Sequence, residues 1–155
     1  MVKAFRGELL HFLADPAKVQ LSDSYQYFSD GLLVVDNGHV TDVGNAESLL
    51  TELSGNIELT HYSSGLIVPG FIDTHVHYPQ TDMIAAYGSQ LLEWLENYTF
   101  PTEKKFADED HGKEVATFFL QQLLAAGTTT ALVFGTVHKE SVEAFFTVAQ
   151  QKNYA

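Results

Sequence analysis

The sequence contains no cysteine among its 155 residues. Without thiols, the chain has no disulfide framework, no thiolate metal site and no thiol nucleophile. Basic residues are also few: 8 lysines and arginines stand against 20 aspartates and glutamates, for a formal net charge of -12. A nucleic-acid binding surface needs clustered basic side chains to contact phosphates, whereas these are scattered. We therefore expect no nucleic-acid partner.

Long apolar runs are absent as well. None approaches the roughly 20 residues that a membrane-spanning helix needs. Near the amino terminus, Glu8, His11 and Asp15 interrupt any apolar core of a secretory signal. Apolar residues still make up 45% of the composition, as in ordinary globular domains. We therefore expect a cytoplasmic protein that does not associate with membranes.

The first part of the chain has the pattern of β-strands. Strands are predicted at residues 2–13, 31–35, 39–43 and 56–62, and a short helix at residues 46–53. Asn37 and Gly38 separate two of these strands, and both residue types tolerate the positive φ of a tight hairpin turn. We expect a small antiparallel β unit.

From residue 66 onward, strands and helices alternate. Residues 66–77 begin as a buried apolar strand and become polar at its carboxyl end, and residues 128–134 form a second strand. Helices are predicted at residues 90–98, 110–126 and 140–151. The apolar face of the second helix comprises Val115, Phe118, Phe119 and Leu123. The apolar face of the third comprises Val142, Phe145, Phe146 and Ala149. Such alternation implies a parallel sheet, in which ligands bind at the carboxyl ends of the strands.

Two histidines lie at the polar end of the first of these strands. His75 and His77 are one residue apart, so their side chains share a face and their Cα atoms lie under about 7 Å apart. Two such imidazoles can reach one metal ion at about 2.0–2.1 Å. The alternative, a pair that is only solvated or hydrogen-bonded, stays open on spacing alone. A catalytic zinc also usually takes three protein ligands, so this pair does not complete a site.

Other polar residues carry weaker signals. We expect a surface or structural role for His11, His39, His61 and His111. His138 follows the second strand and could face the same edge of the sheet. Asp73 has the strand parity of the histidine pair. Two roles stay open for it: a carboxylate that orients a metal ligand or hydrogen-bonds the backbone, or a purely structural residue. His138 and Glu140 match the His-x-Glu of cytidine-deaminase-type zinc sites, but those sites also need two cysteines, so that class is excluded.

Residues 69–77 (PGFIDTHVH) resemble the first-strand signature of the amidohydrolase superfamily, because they couple a sharp turn, an apolar strand and a histidine pair. Further segments are similar to the guanine deaminases, namely residues 77–80 (HYPQ), 91–95 (LLEWL), 98–103 (YTFPTE) and 127–134 (GTTTALVF). The resemblance covers essentially the whole chain and is strongest over residues 65–138.

This resemblance implies an α/β fold class. Residues 67–155 would be the first βα units of a metal-dependent (β/α)8 barrel, and residues 1–66 the amino-terminal part of a small β-sandwich domain. A complete barrel takes about 250 residues, so we expect open sheet edges and uncovered apolar helix faces here. We also expect this chain alone neither to fold stably nor to deaminate guanine.

The same resemblance implies zinc-dependent hydrolytic deamination of guanine to xanthine and ammonia, in purine catabolism or salvage. It makes His75 and His77 the zinc ligands, and His77 and Gln80 the substrate contacts. Catalytic acid–base residues and the remaining ligands would come from later strands, so no catalytic residue is expected in this chain. Trp94 and Phe100 would line the pocket or pack the helix, and packing is favoured. The full-length enzyme would be a homodimer.

Two other functions stay open. The first is an amidohydrolase that acts on another purine, a pterin or a triazine ring, which a substrate profile would reveal. The second is a non-catalytic amidohydrolase-like scaffold, which metal content would distinguish. The paired imidazoles favour an enzyme, since a scaffold has no need for them.

Overall fold

The computed structural model describes residues 2–55 and 57–154. Contacts divide the chain into two compact units, the first ending at Pro69 and the second beginning at Gly70. Within the described residues, no helix combines the length and the apolar character needed to cross a membrane.

The amino-terminal unit is a four-stranded sheet with two short helices. Its elements are β1 (Lys3–Phe12), α1 (Leu21–Ser24), β2 (Tyr25–Asp36), β3 (His39–Asn45), α2 (Ala46–Glu52) and β4 (Glu58–Ile67). The strand order is β3-β2-β1-β4, with β2 antiparallel to both β1 and β3. β4 pairs with β1 in parallel, so the expectation of a purely antiparallel unit is wrong. The intervening β2, β3 and α2 provide a crossover long enough for parallel return.

Local chemistry accounts for the turn and the helix of this unit. Asn37 and Gly38 have φ of 51° and 82°, and the strands pair directly beyond them, which confirms the predicted hairpin. The Asn45 side chain accepts hydrogen bonds from two backbone N–H groups and so caps α2. The buried core comprises Ala4, Leu32, Val34 and Ala46. The predicted strand at residues 56–62 begins at Asn56, which lies outside the described residues, and β4 continues to Ile67.

The second unit contains two parallel strands and a series of helices. Its elements are β5 (Phe71–His77), a 3-10 turn (Tyr78–Met83), α3 (Leu91–Trp94), a π turn (Leu95–Thr99), α4 (Phe100–Glu103), a second 3-10 turn (Lys104–Ala107), α5 (Glu109–Ala125), β6 (Thr128–Phe134) and α6 (Lys139–Gln151). β5 and β6 pair in parallel, which confirms the predicted alternation. The helix predicted at residues 90–98 instead extends, through its π turn, to Ala107.

The strand predicted at residues 66–77 is divided in two. Ile67 ends β4 and Phe71 begins β5, with Pro69 and Gly70 between them. Proline cannot donate to a sheet ladder, which explains the interruption. β5 is not buried at its start either, because Phe71 and Ile72 are 60% and 69% exposed. Consecutive strand residues point to opposite faces, so the start of β5 is uncovered on both sides within the described residues.

Small side chains set the helix packing of the second unit. The buried cluster comprises Tyr78, Phe106, Val115, Ala116, Phe119, Leu120, Val148 and Ala149. The predicted apolar faces are correct for Val115, Phe119 and Ala149. They are wrong for Phe118, Val142 and Phe146, which are exposed because Ala116, Ala144 and Val148 occupy the inner positions. Periodicity alone did not separate adjacent apolar residues on the same helix.

Gly70 tests how tightly the start of β5 packs. A Cβ atom there would lie 2.1 Å from Oγ1 of Thr129 and 2.7 Å from its Cβ. Because such overlap forces a shift of neighbouring backbone, we expect Gly70→Ala to lower the free energy of unfolding by about 1–3 kcal/mol. Chemical denaturation of the full-length protein would measure the loss. In a Thr129→Gly background the same substitution should cost much less, and an undiminished loss there would contradict the packing explanation.

Candidate metal and substrate site

His75 and His77 lie together at the carboxyl end of β5. Their Nε2 atoms are 3.0 Å apart and their ring centroids 5.2 Å apart. His75 is exposed and His77 is half-buried. The two imidazoles therefore lie on one face of the strand, as predicted from their spacing.

The separation of these nitrogens fits a shared metal ion. Two nitrogens that each lie about 2.0–2.1 Å from one zinc can be no more than about 4.2 Å apart, and 3.0 Å satisfies that limit. Neutral imidazole is a ligand that zinc accepts readily. Within residues 2–55 and 57–154, however, no group of three or more histidine, aspartate or glutamate side chains could hold a metal ion. Among the described residues, no third side chain of these types is therefore in place beside the histidine pair.

Phe134 holds the two imidazoles from the neighbouring strand. It pairs with His77 in the parallel register, and its ring lies 4.7 Å from that of His75 and 4.8 Å from that of His77. The ring of His77 stacks on it at an interplanar angle of 13°. Aromatic packing of this kind restricts the rotamers of both histidines. No role was predicted for Phe134, although it ends the next strand at the same edge of the sheet.

Asp73 supports the backbone of the histidine strand. Its Oδ1 accepts a hydrogen bond of 3.0 Å from the backbone N–H of His75. The backbone hydrogen bond that the sequence suggested for Asp73 is therefore present in the structure. The interaction fixes the chain between Asp73 and His75, where the strand pairing with β6 is interrupted.

Tyr78 anchors the end of β5 in the core of the second unit. Its hydroxyl donates to the carbonyl oxygen of Ser141 at 2.5 Å and lies 2.9 Å from the Ser141 hydroxyl. Burial raises the pKa of the Tyr78 phenol, which keeps it protonated as a donor. The Ser141 hydroxyl also accepts from the backbone N–H of Thr136, in the segment after β6. One buried side chain therefore connects the residue after His77 to α6 and to the end of β6.

A cavity of about 470 Å³ opens beside the histidine pair. Its lining includes His75, His77, Gln80, Met83, Trp94 and Phe119. The volume is within the roughly 300–1,000 Å³ typical of small-molecule sites. Gln80 is half-buried, and its Nε2 donates to Oε1 of Glu103 at 3.4 Å. The cavity thus combines two imidazoles and two amides, those of Gln80 and Gln122, with mostly apolar walls.

Trp94, Phe100 and His138 lie in different places. Trp94 lines the cavity and also donates from Nε1 to the carbonyl of Ala86 at 2.9 Å, so it both packs and forms the wall. Phe100 is 49% exposed, and neither it nor His138 is among the described residues that line the cavity. His138 instead precedes α6 at its amino end.

None of the other histidines is among the described residues that line the cavity. His11 contacts Gln26 in the amino-terminal sheet, and His111 lies 3.7 Å from Asp82 at the start of α5. Glu103, like Phe134, was not predicted from the sequence to have a role. Its only signal was its place in the segment at residues 98–103.

Residues 66–154 match the amidohydrolase family. The chain is 44% identical to the guanine deaminase of Escherichia coli (strain K12), over 98% of this chain and 35% of that protein. The solved structure of the E. coli guanine deaminase superposes on this chain with a TM-score of 0.88, over 98% of this chain and 35% of that one.

Two further solved structures are similar. Guanine deaminase from Bradyrhizobium japonicum is 37% identical with a TM-score of 0.89, over 99% of this chain and 33% of that one. A guanine deaminase from C. acetobutylicum with guanine bound in its active site is 28% identical with a TM-score of 0.76, over 100% of this chain and 35% of that one. The chain therefore spans about a third of the length of the relatives it matches.

Tyr78→Phe tests the anchor behind the histidine pair. Removal of the hydroxyl leaves the Ser141 hydroxyl short of one buried partner, so we expect a loss of about 1–3 kcal/mol in the free energy of unfolding. Tyr87→Phe is a matched control, because Tyr87 is 82% exposed and its variant should unfold like the unmodified protein. Chemical denaturation of the full-length protein measures both. Equal stabilities of the two variants would contradict an anchoring role for Tyr78.

Proposed function

The chain belongs to the amidohydrolase family, and on that premise we propose that it forms the amino-terminal third of a zinc-dependent guanine deaminase. The reaction is the hydrolysis of guanine to xanthine and ammonia, in purine catabolism or salvage. The similarity to guanine deaminases over almost the whole chain supports this substrate. We further propose a cytoplasmic enzyme that acts as a homodimer.

The domain assignment is part of the proposal. The unit that begins at Gly70 would supply the first two βα units of a (β/α)8 barrel, with β5 and β6 as adjacent barrel strands. The preceding unit would belong to a small β-sandwich domain. In such a barrel the catalytic groups lie at the carboxyl ends of the strands, which is where the histidine pair lies on β5.

One observation carries the proposal: the closely spaced pair His75 and His77 and the Gln80 amide line the same cavity. His75 and His77 turn their Nε2 atoms toward each other, and Gln80 follows them by one short turn. The spacing of the nitrogens suits one ion, and the cavity suits a small ring. Neither feature alone indicates deamination, whereas their combination within this family does.

His75 and His77 would hold the zinc ion through Nε2. When bound there, zinc would supply a Lewis acid and lower the pKa of a water molecule toward about 7. The two histidines and the ring of Phe134 would keep this edge of the site rigid before substrate arrives. Further ligands and the acid–base residues would come from other strands of the enzyme, so we assign no catalytic residue to this chain.

Gln80 would hold and orient the substrate. A side-chain amide offers both a donor and an acceptor, which matches the mixed edges of guanine. His77 would contact the substrate from the metal side of the cavity. The apolar side chains of Met83, Trp94 and Phe119 would exclude water around the ring. Their combined effect is to place the ring beside the metal with its reactive carbon exposed to attack.

Replacement of both histidines tests the metal site. In His75→Ala/His77→Ala we expect the full-length protein to lose its bound zinc. Xanthine formation should fall by roughly a thousandfold or more, because the metal contributes several kcal/mol to the reaction. Metal analysis and a guanine turnover assay measure the two effects. His39→Ala, at an exposed histidine of the amino-terminal sheet, should keep both metal and activity.

The outcome can refute the proposal in two ways. If the double variant retains stoichiometric zinc, the histidine pair is not the metal site. If the unmodified protein binds zinc but forms no xanthine from guanine, the fold stands and the substrate assignment is wrong.

Gln80→Ala tests the substrate contact separately from the metal. Loss of the amide removes hydrogen bonds made in the ground state and the transition state alike, so we expect KM for guanine to rise roughly tenfold with kcat little changed. Zinc content should stay at the unmodified level. Steady-state kinetics with guanine measures the effect, and an unchanged KM would show that Gln80 does not contact the substrate.

A further inference from the structure

Glu103 contacts the side chain of Gln80 but does not itself line the cavity. Gln80 lines the cavity, whereas Glu103 is not among the described residues that do. The Gln80 Nε2 donates to the Glu103 Oε1 at 3.4 Å, and both side chains are half-buried. The carboxylate therefore contacts the amide from outside the surface that a substrate would meet.

A carboxylate distinguishes the two ends of an amide. An ionised carboxylate only accepts hydrogen bonds, and an amide donates only from its nitrogen. If the Gln80 amide were flipped, its oxygen would lie against the Glu103 oxygen with no proton between them, which is repulsive. Glu103 therefore selects the orientation with the nitrogen toward α4. The Gln80 oxygen and the second N–H of its amide then remain for a ligand.

The position of Glu103 is itself fixed by the core. Glu103 ends α4, and Phe106 in the following turn is fully buried. The Phe106 ring contacts the Tyr78 ring edge-on, with centroids 5.2 Å apart. Tyr78 precedes Gln80 by two residues, so the carboxylate and the amide are both attached to one aromatic contact. Their relative position thus depends on packing rather than on two independent flexible loops.

We propose that Glu103 is a positioning residue that fixes the amide orientation of Gln80 and with it the order of donor and acceptor presented to guanine. The inference rests on the proposed function, since it concerns the substrate contact of that same site. A substrate edge with an N–H beside a ring nitrogen pairs with an oriented amide through two hydrogen bonds. Against a flipped amide it meets two mismatches.

Glu103→Gln in the full-length enzyme tests the inference. The substitution keeps the shape of the side chain, but its amide can accept from or donate to Gln80, so both orientations become possible. We expect KM for guanine to rise roughly five- to tenfold while kcat changes less than about twofold. Zinc content should not change. Glu96→Gln is the matched control, because Glu96 is an exposed carboxylate in the π turn of the same helical segment, and its KM should match the unmodified enzyme.

A double-variant cycle separates positioning from a general structural effect. If Glu103 acts through Gln80, Glu103→Gln should add no further rise in KM to Gln80→Ala. The inference is overturned if Glu103→Gln leaves KM unchanged, or if it adds its full effect in the Gln80→Ala background. Turnover of guanine by the unmodified enzyme in those cases leaves the proposed function intact. An unmodified, zinc-loaded enzyme that is inert on guanine overturns both.

Discussion

Parallel pairing of β5 with β6 is the constraint on which the candidate site depends. It brings His77 opposite Phe134, so the last residues of two consecutive strands meet at one edge of the sheet. The two-residue period of a strand then turns His75 to the same side as His77. Their Nε2 atoms are 3.0 Å apart and both rings pack against Phe134, a separation that fits the geometry of a shared ion.

The core of the second unit secures this edge through one polar aromatic residue. Tyr78 is buried among apolar side chains, yet its hydroxyl is satisfied by Ser141 of α6. A buried phenol with a partner costs little, whereas one without a partner is costly, so the hydrogen bond specifies where α6 can pack. The same ring contacts Phe106 and so connects the histidine strand to the helical segment that carries Glu103. The histidine pair, the Gln80 amide and the Glu103 carboxylate therefore share one anchor.

Local rules predicted much of the fold because several segments carry their own signals. Asn37 and Gly38 specified the hairpin, and the strand at Thr128–Phe134 and the helix at Glu109–Ala125 followed from their patterns and end residues. The parallel pairing of β4 was missed because it depends on a long connection, which no local pattern encodes. The exposed Phe118 and Phe146 were missed because helix periodicity cannot determine which of two adjacent apolar residues faces the core.

The histidine pair of the site was predictable from spacing, since a strand period of two fixes which side chains share a face. Its supporting residues were not. Phe134 acts across strands, and Glu103 reaches Gln80 over 23 positions of sequence. Ala85 lines the cavity with a positive φ of 65°, a conformation that its residue type does not suggest. Contacts of this kind arise from tertiary packing, and only coordinates reveal them.

The substrate profile of the zinc-loaded, full-length protein is the most direct test of the proposal that guanine is the substrate. It compares kcat/KM for guanine with that for adenine, a pterin and a triazine under the same conditions, with ammonia release as the common readout. We expect guanine to be turned over with the highest kcat/KM and xanthine to be the product. A higher kcat/KM for another ring, or no ammonia from guanine with zinc bound, would contradict it.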